Sequence, residues 1–218
     1  MELKNKKILF LGDSITEGHG ASKVESRFTD LVAKELGADF ENYGIGGTRI
    51  AKQKKPSEKA RWDLDFIGRV DEMSSEADVV VVFGGTNDWG HGDSDIGNFE
   101  SRDPYTFYGA LHVLYTSLIE KYPTSAIVVL TPLHRCGENA RNVDPNRPNN
   151  VRLLKEYVEA IREVAEHYSL PVLDLYKTSG LQPEISVIRE MYMPDGLHPN
   201  DAGYKVLADK VIAFLKSL

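Results

Sequence analysis

The sequence predicts an α/β fold, a parallel sheet with helices packed on both faces. Two observations carry this reading. Short β-rich runs alternate with longer amphipathic segments along the whole 218-residue chain, the order expected of strands joined by crossover helices. The clearest of those runs are also continuously apolar, which suits strands buried on both sides. The first, Lys7-Ile8-Leu9-Phe10-Leu11, is stopped by Gly12. Phe28, Leu31, Val32 and Leu36 then recur at helical spacing, and Gly37 marks a helix stop. A short extended run follows at 40–43, and 78–83 (DVVVVF) is the clearest buried strand. Residues 106–121 predict a helix with Phe107, Leu111, Leu114, Tyr115 and Leu118 on one face, closed by Tyr122-Pro123. A strand at 126–130 follows. The helix predicted at 151–168 carries the stripe Leu154, Val158, Ile161 and Ala165. A short strand at 172–175 precedes a last helix at 201–218, with Asn200 as its N-cap.

No repeat, low-complexity tract or linker interrupts the pattern, so residues 1–218 read as one domain. Two connections, 89–104 and 134–150, are longer than a compact domain needs, and such loops are often functional. Both follow a strand, and open α/β sheets bind ligands beyond the carboxyl ends of their strands.

Charge and composition narrow the function. Lys and Arg number 26 against 33 Asp and Glu, for a net charge of -7. That balance repels phosphate backbones and argues against a nucleic-acid partner. One basic cluster exists, Lys52, Lys54, Lys55, Lys59 and Arg61. It reads as a solvated face; in a functional role it would favour an anionic group near the site. The single cysteine, Cys136, allows no intramolecular disulfide. The N-terminal apolar run is too short for a signal peptide, and no stretch reaches the length of a membrane span. A cytoplasmic protein is expected.

Four short motifs fall at the ends of β-rich runs or in turns. They are Gly12-Asp13-Ser14-Ile15-Thr16, Asn42-Tyr43-Gly44-Ile45-Gly46-Gly47, Gly85-Thr86-Asn87-Asp88 and Asp195-Gly196-Leu197-His198. Acyl transfer needs an exposed hydroxyl beside a base, a partner on the base's other nitrogen, and donors aimed at the developing oxyanion. Ser14 at a strand end can supply the hydroxyl. Asp195 and His198, three apart in a turn, can pair. Glycine at 47 permits close backbone approach, and the Asn87 amide can donate.

In that order and context, the motifs resemble the four blocks of the SGNH/GDSL hydrolase superfamily. The resemblance spans positions 12–198, with Ile15 where family members often carry leucine. It implies a flavodoxin-like three-layer α/β/α sandwich. It implies Ser14 as nucleophile, His198 as base and Asp195 as the residue that orients it. The oxyanion hole would comprise the backbone N–H groups of Ser14 and Gly47 and the side chain of Asn87. Gly46, beside Gly47, is the competing donor, and Asp201 is the carboxylate that competes with Asp195.

Asp13, Arg49, Trp89 and His134 are further candidates for contacting substrate. Trp89 can stack on a sugar or an acyl group, or pack in the core. His19 and His91 lie in or near loops that can edge the site and read as surface residues. The stretch Gly44-Ile45-Gly46-Gly47-Thr48-Arg49 fails as a dinucleotide fingerprint, because its last glycine would fall on Arg49. No phosphate loop, zinc spacing or calcium loop is present, so no metal or cofactor is expected. The expected activity is hydrolysis of short-acyl, chiefly acetyl, esters of a carbohydrate or other small polar molecule. A lysophospholipase or thioesterase is the alternative within the class. A non-catalytic binding module on the same fold is the alternative outside it.

Overall fold

The computed structural model describes residues 2–139 and 152–218. The strands β1 (Lys7–Gly12), β2 (Asp39–Gly44), β3 (Val79–Phe83), β4 (Ala126–Leu130) and β5 (Val172–Leu173) form one parallel sheet. Their order is β2-β1-β3-β4-β5. Between them run α1 (Ser14–Glu17), α2 (Phe28–Leu36), α3 (Phe66–Arg69), α4 (Thr86–His91), α5 (Phe107–Lys121), α6 (Leu154–His167), α7 (Leu175–Thr178), α8 (Ser186–Tyr192) and α9 (Asp201–Ser217).

Side-chain alternation along the strands divides the interior into two cores. Ile8 and Phe10 of β1, with Val79, Val81 and Phe83 of β3, pack under α2 and α9. Leu9, Leu11, Val80 and Val82 point the other way, under α3, α5 and α6. Both faces of β1 and β3 are therefore dry, which explains why their sequences read as unbroken apolar runs. The result is the three-layer α/β/α sandwich, with a flavodoxin-like sheet. The chain winds from β1 outward to β2, then returns to the other side of β1 at β3. That reversal is a topological switch point, and it opens a crevice at the carboxyl ends of β1, β2 and β3.

The predicted elements are present with small shifts. Thr106 is the N-cap of α5 and accepts from the Gly109 N–H at 3.2 Å. Asn200 caps α9 through the Gly203 N–H at 3.0 Å, and Gly37 closes α2 in the left-handed region. The last predicted strand is cut to Val172–Leu173, because the Asp174 side chain caps α7 immediately after it. α6 starts at Leu154 rather than at 151, a position outside the described residues. The connection predicted at 89–104 holds the end of α4 at its start. Of the connection at 134–150, residues 140–150 lie outside the described residues. Helices α1, α3, α4, α7 and α8 went unpredicted; at seven residues or fewer they are too short to show a helical period. Among the described residues, no helix is long and apolar enough to cross a membrane.

Candidate active site

Ser14 opens α1 directly after β1. Asp13 caps that helix by accepting from the Ile15 N–H at 3.0 Å. The strand end is held from below by Arg69, whose guanidinium is buried among the carbonyls of Gly12 and Tyr43 and the hydroxyl of Thr48. Burial lowers the Arg69 pKa to about 10, so it stays charged at neutral pH. Gly44, at the end of β2, is in tight contact with α1: an added Cβ would stand 2.1 Å from the Glu17 nitrogen.

His198 reaches Ser14 from the far end of the sequence. Its Nε2 lies 2.9 Å from the Ser14 Oγ. Its Nδ1 lies 2.6 Å from the Asp195 Oδ2. The other carboxylate oxygen of Asp195 accepts from the backbone N–H groups of Leu197 and His198 at 2.9 and 2.7 Å. Burial tends to raise the Asp195 pKa, but these hydrogen bonds from His198 and Leu197 outweigh it and hold the carboxylate ionised. Burial lowers the His198 pKa below its usual value, against the opposing pull of Asp195, and so favours the neutral imidazole a base requires. Asp201 is engaged elsewhere, accepting from the Ser22 backbone at 2.8 Å and from its hydroxyl at 2.6 Å.

The donors facing Ser14 are set by a staple between the loop after β2 and α4. Asp88 accepts from the N–H groups of Ile50 and Ala51 at 3.0 and 2.9 Å. The Asn87 amide donates to the Thr48 carbonyl at 3.0 Å, which leaves its second N–H available. Gly46 and Gly47 are told apart by Glu17. The Gly46 N–H donates to Glu17 Oε2 at 2.7 Å, whereas the N–H groups of Gly47 and Ser14 have no acceptor among the described residues. Gly47 has φ +82 and lies under the Trp62 ring, 2.1 Å from where a Cβ would sit, so both conformation and contact demand glycine.

These groups line a cleft of about 390 Å³. Among the other predicted residues, His19 and His91 line it too, His19 against the His198 ring. Asp13 lies beneath the site, 2 % exposed, with burial raising its pKa to about 7. Arg49 is buried behind the wall, bound to Asp63, Ser57 and the Trp62 carbonyl. Trp89 is buried too, with its Nε1 donating to the Arg152 carbonyl at 3.0 Å and Arg135 over its ring. His134 turns away from the cleft to pair with Glu138 at 2.6 Å and pack on Tyr176. The wall also contains residues the motifs did not single out, among them Trp62 and Arg135. Trp62 sits beside the basic cluster read as a solvated face, and Arg135 is the sequence neighbour of His134.

His19, Asp195 and His198 also bring three ligand atoms within 4.8 Å of one another, a spacing a metal ion can use. Both ring nitrogens of His198 are already committed, to Ser14 and to Asp195. A larger groove of about 570 Å³ lies between α2 and α9. Its lining is aliphatic with lysine and acidic side chains, and it contains no nucleophile paired with a base.

A parallel sheet with hydroxyl, imidazole and carboxylate in series at its switch point is the architecture of an esterase-like hydrolase. The chain belongs to the GDSL-like lipase/acylhydrolase family, whose model matches residues 10–206. It is a hydrolase acting on esters. A solved protein from Lactobacillus plantarum is 30% identical, with TM-score 0.83, over 99% of this chain and 98% of that one. The lipase/acylhydrolase from Enterococcus faecalis is 25% identical, with TM-score 0.65, over 97% and 96%. A two-domain esterase active on acetylated mannans shares the fold at 23% identity and TM-score 0.61, over 98% of this chain and 50% of that one. No curated protein matches the chain.

Proposed function

We propose that the chain is a serine esterase that cleaves short-acyl esters of small polar molecules, carbohydrates among them, through an acyl-enzyme. The observation that supports this most is the unbroken series Ser14 Oγ–His198 Nε2 at 2.9 Å and His198 Nδ1–Asp195 Oδ2 at 2.6 Å. His198 takes the Ser14 proton as Oγ attacks the ester carbonyl. The oxyanion is received by the N–H groups of Ser14 and Gly47 and the Asn87 amide. His198, now protonated and stabilised by Asp195, gives its proton to the leaving alcohol. Water then enters, is deprotonated by His198 and releases the acid from Ser14.

The acyl preference rests on the cleft. Among the described residues it is lined beside Ser14 by glycines, histidines, Asn87, Glu17, cationic side chains and the Trp62 ring, with Leu197 as the one aliphatic residue. Such a wall offers little to a long acyl chain, since each buried methylene would gain about 0.8 kcal/mol only against apolar surface. The esterase active on acetylated mannans supports the carbohydrate direction by fold alone. The same reading treats residues 1–218 as one domain.

The test is hydrolysis of 4-nitrophenyl acetate, butyrate and octanoate by the wild type and by Ser14→Ala. Acetate preference, lost in the variant, is expected. Octanoate preference would transfer the substrate to lipids or thioesters. A folded wild type inert to all three would leave a binding module.

A further inference from the structure

The charges around the cleft differ from those of the molecule. The chain carries -7 overall, yet the cleft is lined by Lys59, Arg61 and Arg135 against one carboxylate, Glu17. Glu17 is spent within the protein: one oxygen holds the Gly46 N–H and the other pairs with Arg61 at 2.7 Å. Lys59 and Arg135 remain. Lys59 stands over the Trp62 ring at 5.0 Å, and no carboxylate pairs with it among the described residues. Arg135 is half-buried, stacked on Trp89 at 4.9 Å. Its Nη1 touches the Thr86 hydroxyl at 3.1 Å, and its buried Nε has no partner at all among the described residues. The nearest acid along the chain, Glu138, is taken up by His134 and by the Arg135 backbone N–H rather than by the guanidinium.

Asp13, Asp195 and Glu138 act on the guanidinium through space, but among the described residues no carboxylate pairs with it directly, and a guanidinium so held in a partly desolvated wall is costly. It is also a fixed planar fork that suits a carboxylate or a phosphate. We propose that Arg135, with Lys59 in the lining of the same cleft, forms an anion-recognition subsite, so that the preferred esters carry a carboxylate or a phosphate near the scissile bond. This deepens the serine-esterase reading of the cleft and rests on it. The aromatic faces of Trp62 and Trp89 hold the two cations in place without neutralising them. Anions are drawn to this cleft while the rest of the acidic surface repels them.

The experiment compares matched esters that differ in charge. 4-Acetoxybenzoate is set against 4-acetoxybenzamide, and 4-acetoxyphenyl phosphate against phenyl acetate. The wild type is expected to favour the anionic member by about tenfold or more in kcat/KM, mostly through KM. The preference should shrink in about 0.5 M sodium chloride. Arg135→Gln should bring the anionic-to-neutral ratio towards one, and Arg135→Lys should retain part of it. A purely structural role for Arg135 would lower both members alike and leave the ratio unchanged. The larger of the two ratios identifies carboxylate or phosphate as the group received. Equal handling of charged and neutral esters by the wild type, at low and high salt, overturns the subsite without any variant. Ser14-dependent turnover of the neutral esters in that case would leave the esterase reading standing. Calorimetry of the same compounds on Ser14→Ala separates the opposite failure. Binding of the anions that is lost with Arg135→Gln upholds the subsite even in a chain that turns over no ester, and absence of any anion preference in binding overturns it.

Discussion

Ser14 and His198 meet at one hydrogen bond, but the two segments that deliver them are built differently. The segment after β1 is buried, with Asp13, Ser14 and Thr16 no more than 9% exposed. It is braced by Arg69 from α3, by Ile45 donating to the Gly12 carbonyl, and by the Tyr204 hydroxyl against the carbonyls of Ile15 and His19. The 195–198 turn is largely self-contained. Asp195 is exposed and ties the turn through backbone groups two and three residues away. Among the described residues, the Cys136 N–H on the Gly196 carbonyl at 2.8 Å and the His19 ring against His198 anchor it to its neighbours. The Ser14 hydroxyl is thus positioned by the whole sheet and the His198 imidazole by a few local bonds. Changes in the turn should cost activity alone, whereas changes beneath Ser14 should reach stability too.

The most severe test of that contrast is Ser14→Ala. Turnover is expected to fall by roughly 10⁴-fold or more, with the melting temperature nearly unchanged because only a hydroxyl leaves. Asp195→Asn follows, with a loss of about 10³- to 10⁴-fold. Its amide oxygen can still receive the turn's N–H groups, so a cooperative melt like that of the wild type is expected; a marked drop in melting temperature would show the turn to be less independent than described. Asn87→Ala removes one donor and should cost about 3 kcal/mol of transition-state stabilisation, read as kcat.

The pH profile sharpens the contrast next. The His198 pKa is lowered chiefly by burial, and in the proposed mechanism His198 acts as base when neutral. Activity should therefore rise with pH and be half-developed below about pH 6.5. A midpoint well above that value would mean that Asp195 outweighs burial.

The smallest effect on turnover is expected from Asp13→Asn, measured at pH 5, where Asp13 is already protonated. Its consequence is for stability. The Asp13 pKa is raised to about 7, first by burial and then by the charge of Asp88. A carboxyl raised in the folded state stabilises the protonated form, so its contribution is complete near pH 4 and lost as pH rises through 7. Asparagine removes that loss. Denaturant midpoints should show the variant more stable than wild type at pH 8, by up to about 4 kcal/mol, with the difference shrinking steadily as pH falls and nearly gone by about pH 4.

Much of this was legible in the sequence, and the reason lies in periodicity. β1 and β3 bury both faces and read as unbroken apolar runs, whereas α2, α5 and α9 bury one face each, so their apolar residues repeat at intervals near four. The four motifs were legible because they sit at turns where few residue types fit. The wall of the cleft was not. His134 and Arg135 are adjacent in a segment with no period, and nothing local says which faces the cleft. Trp62 stands over Gly47 only because the chain between β2 and α3 folds back across the sheet's edge. Trp89, next to the Asn87 motif, is drawn inward because α4 puts it on the side facing the core.

The switch point also has a consequence in time. Ser14, Gly47 and Asn87 follow three different strands, and His198 comes from near the end of the chain. A partly folded chain holds the hydroxyl but none of the donors in register. Recovery of ester cleavage after dilution from denaturant should therefore lag behind the return of helical signal, marking the moment when β1 is seated between β2 and β3.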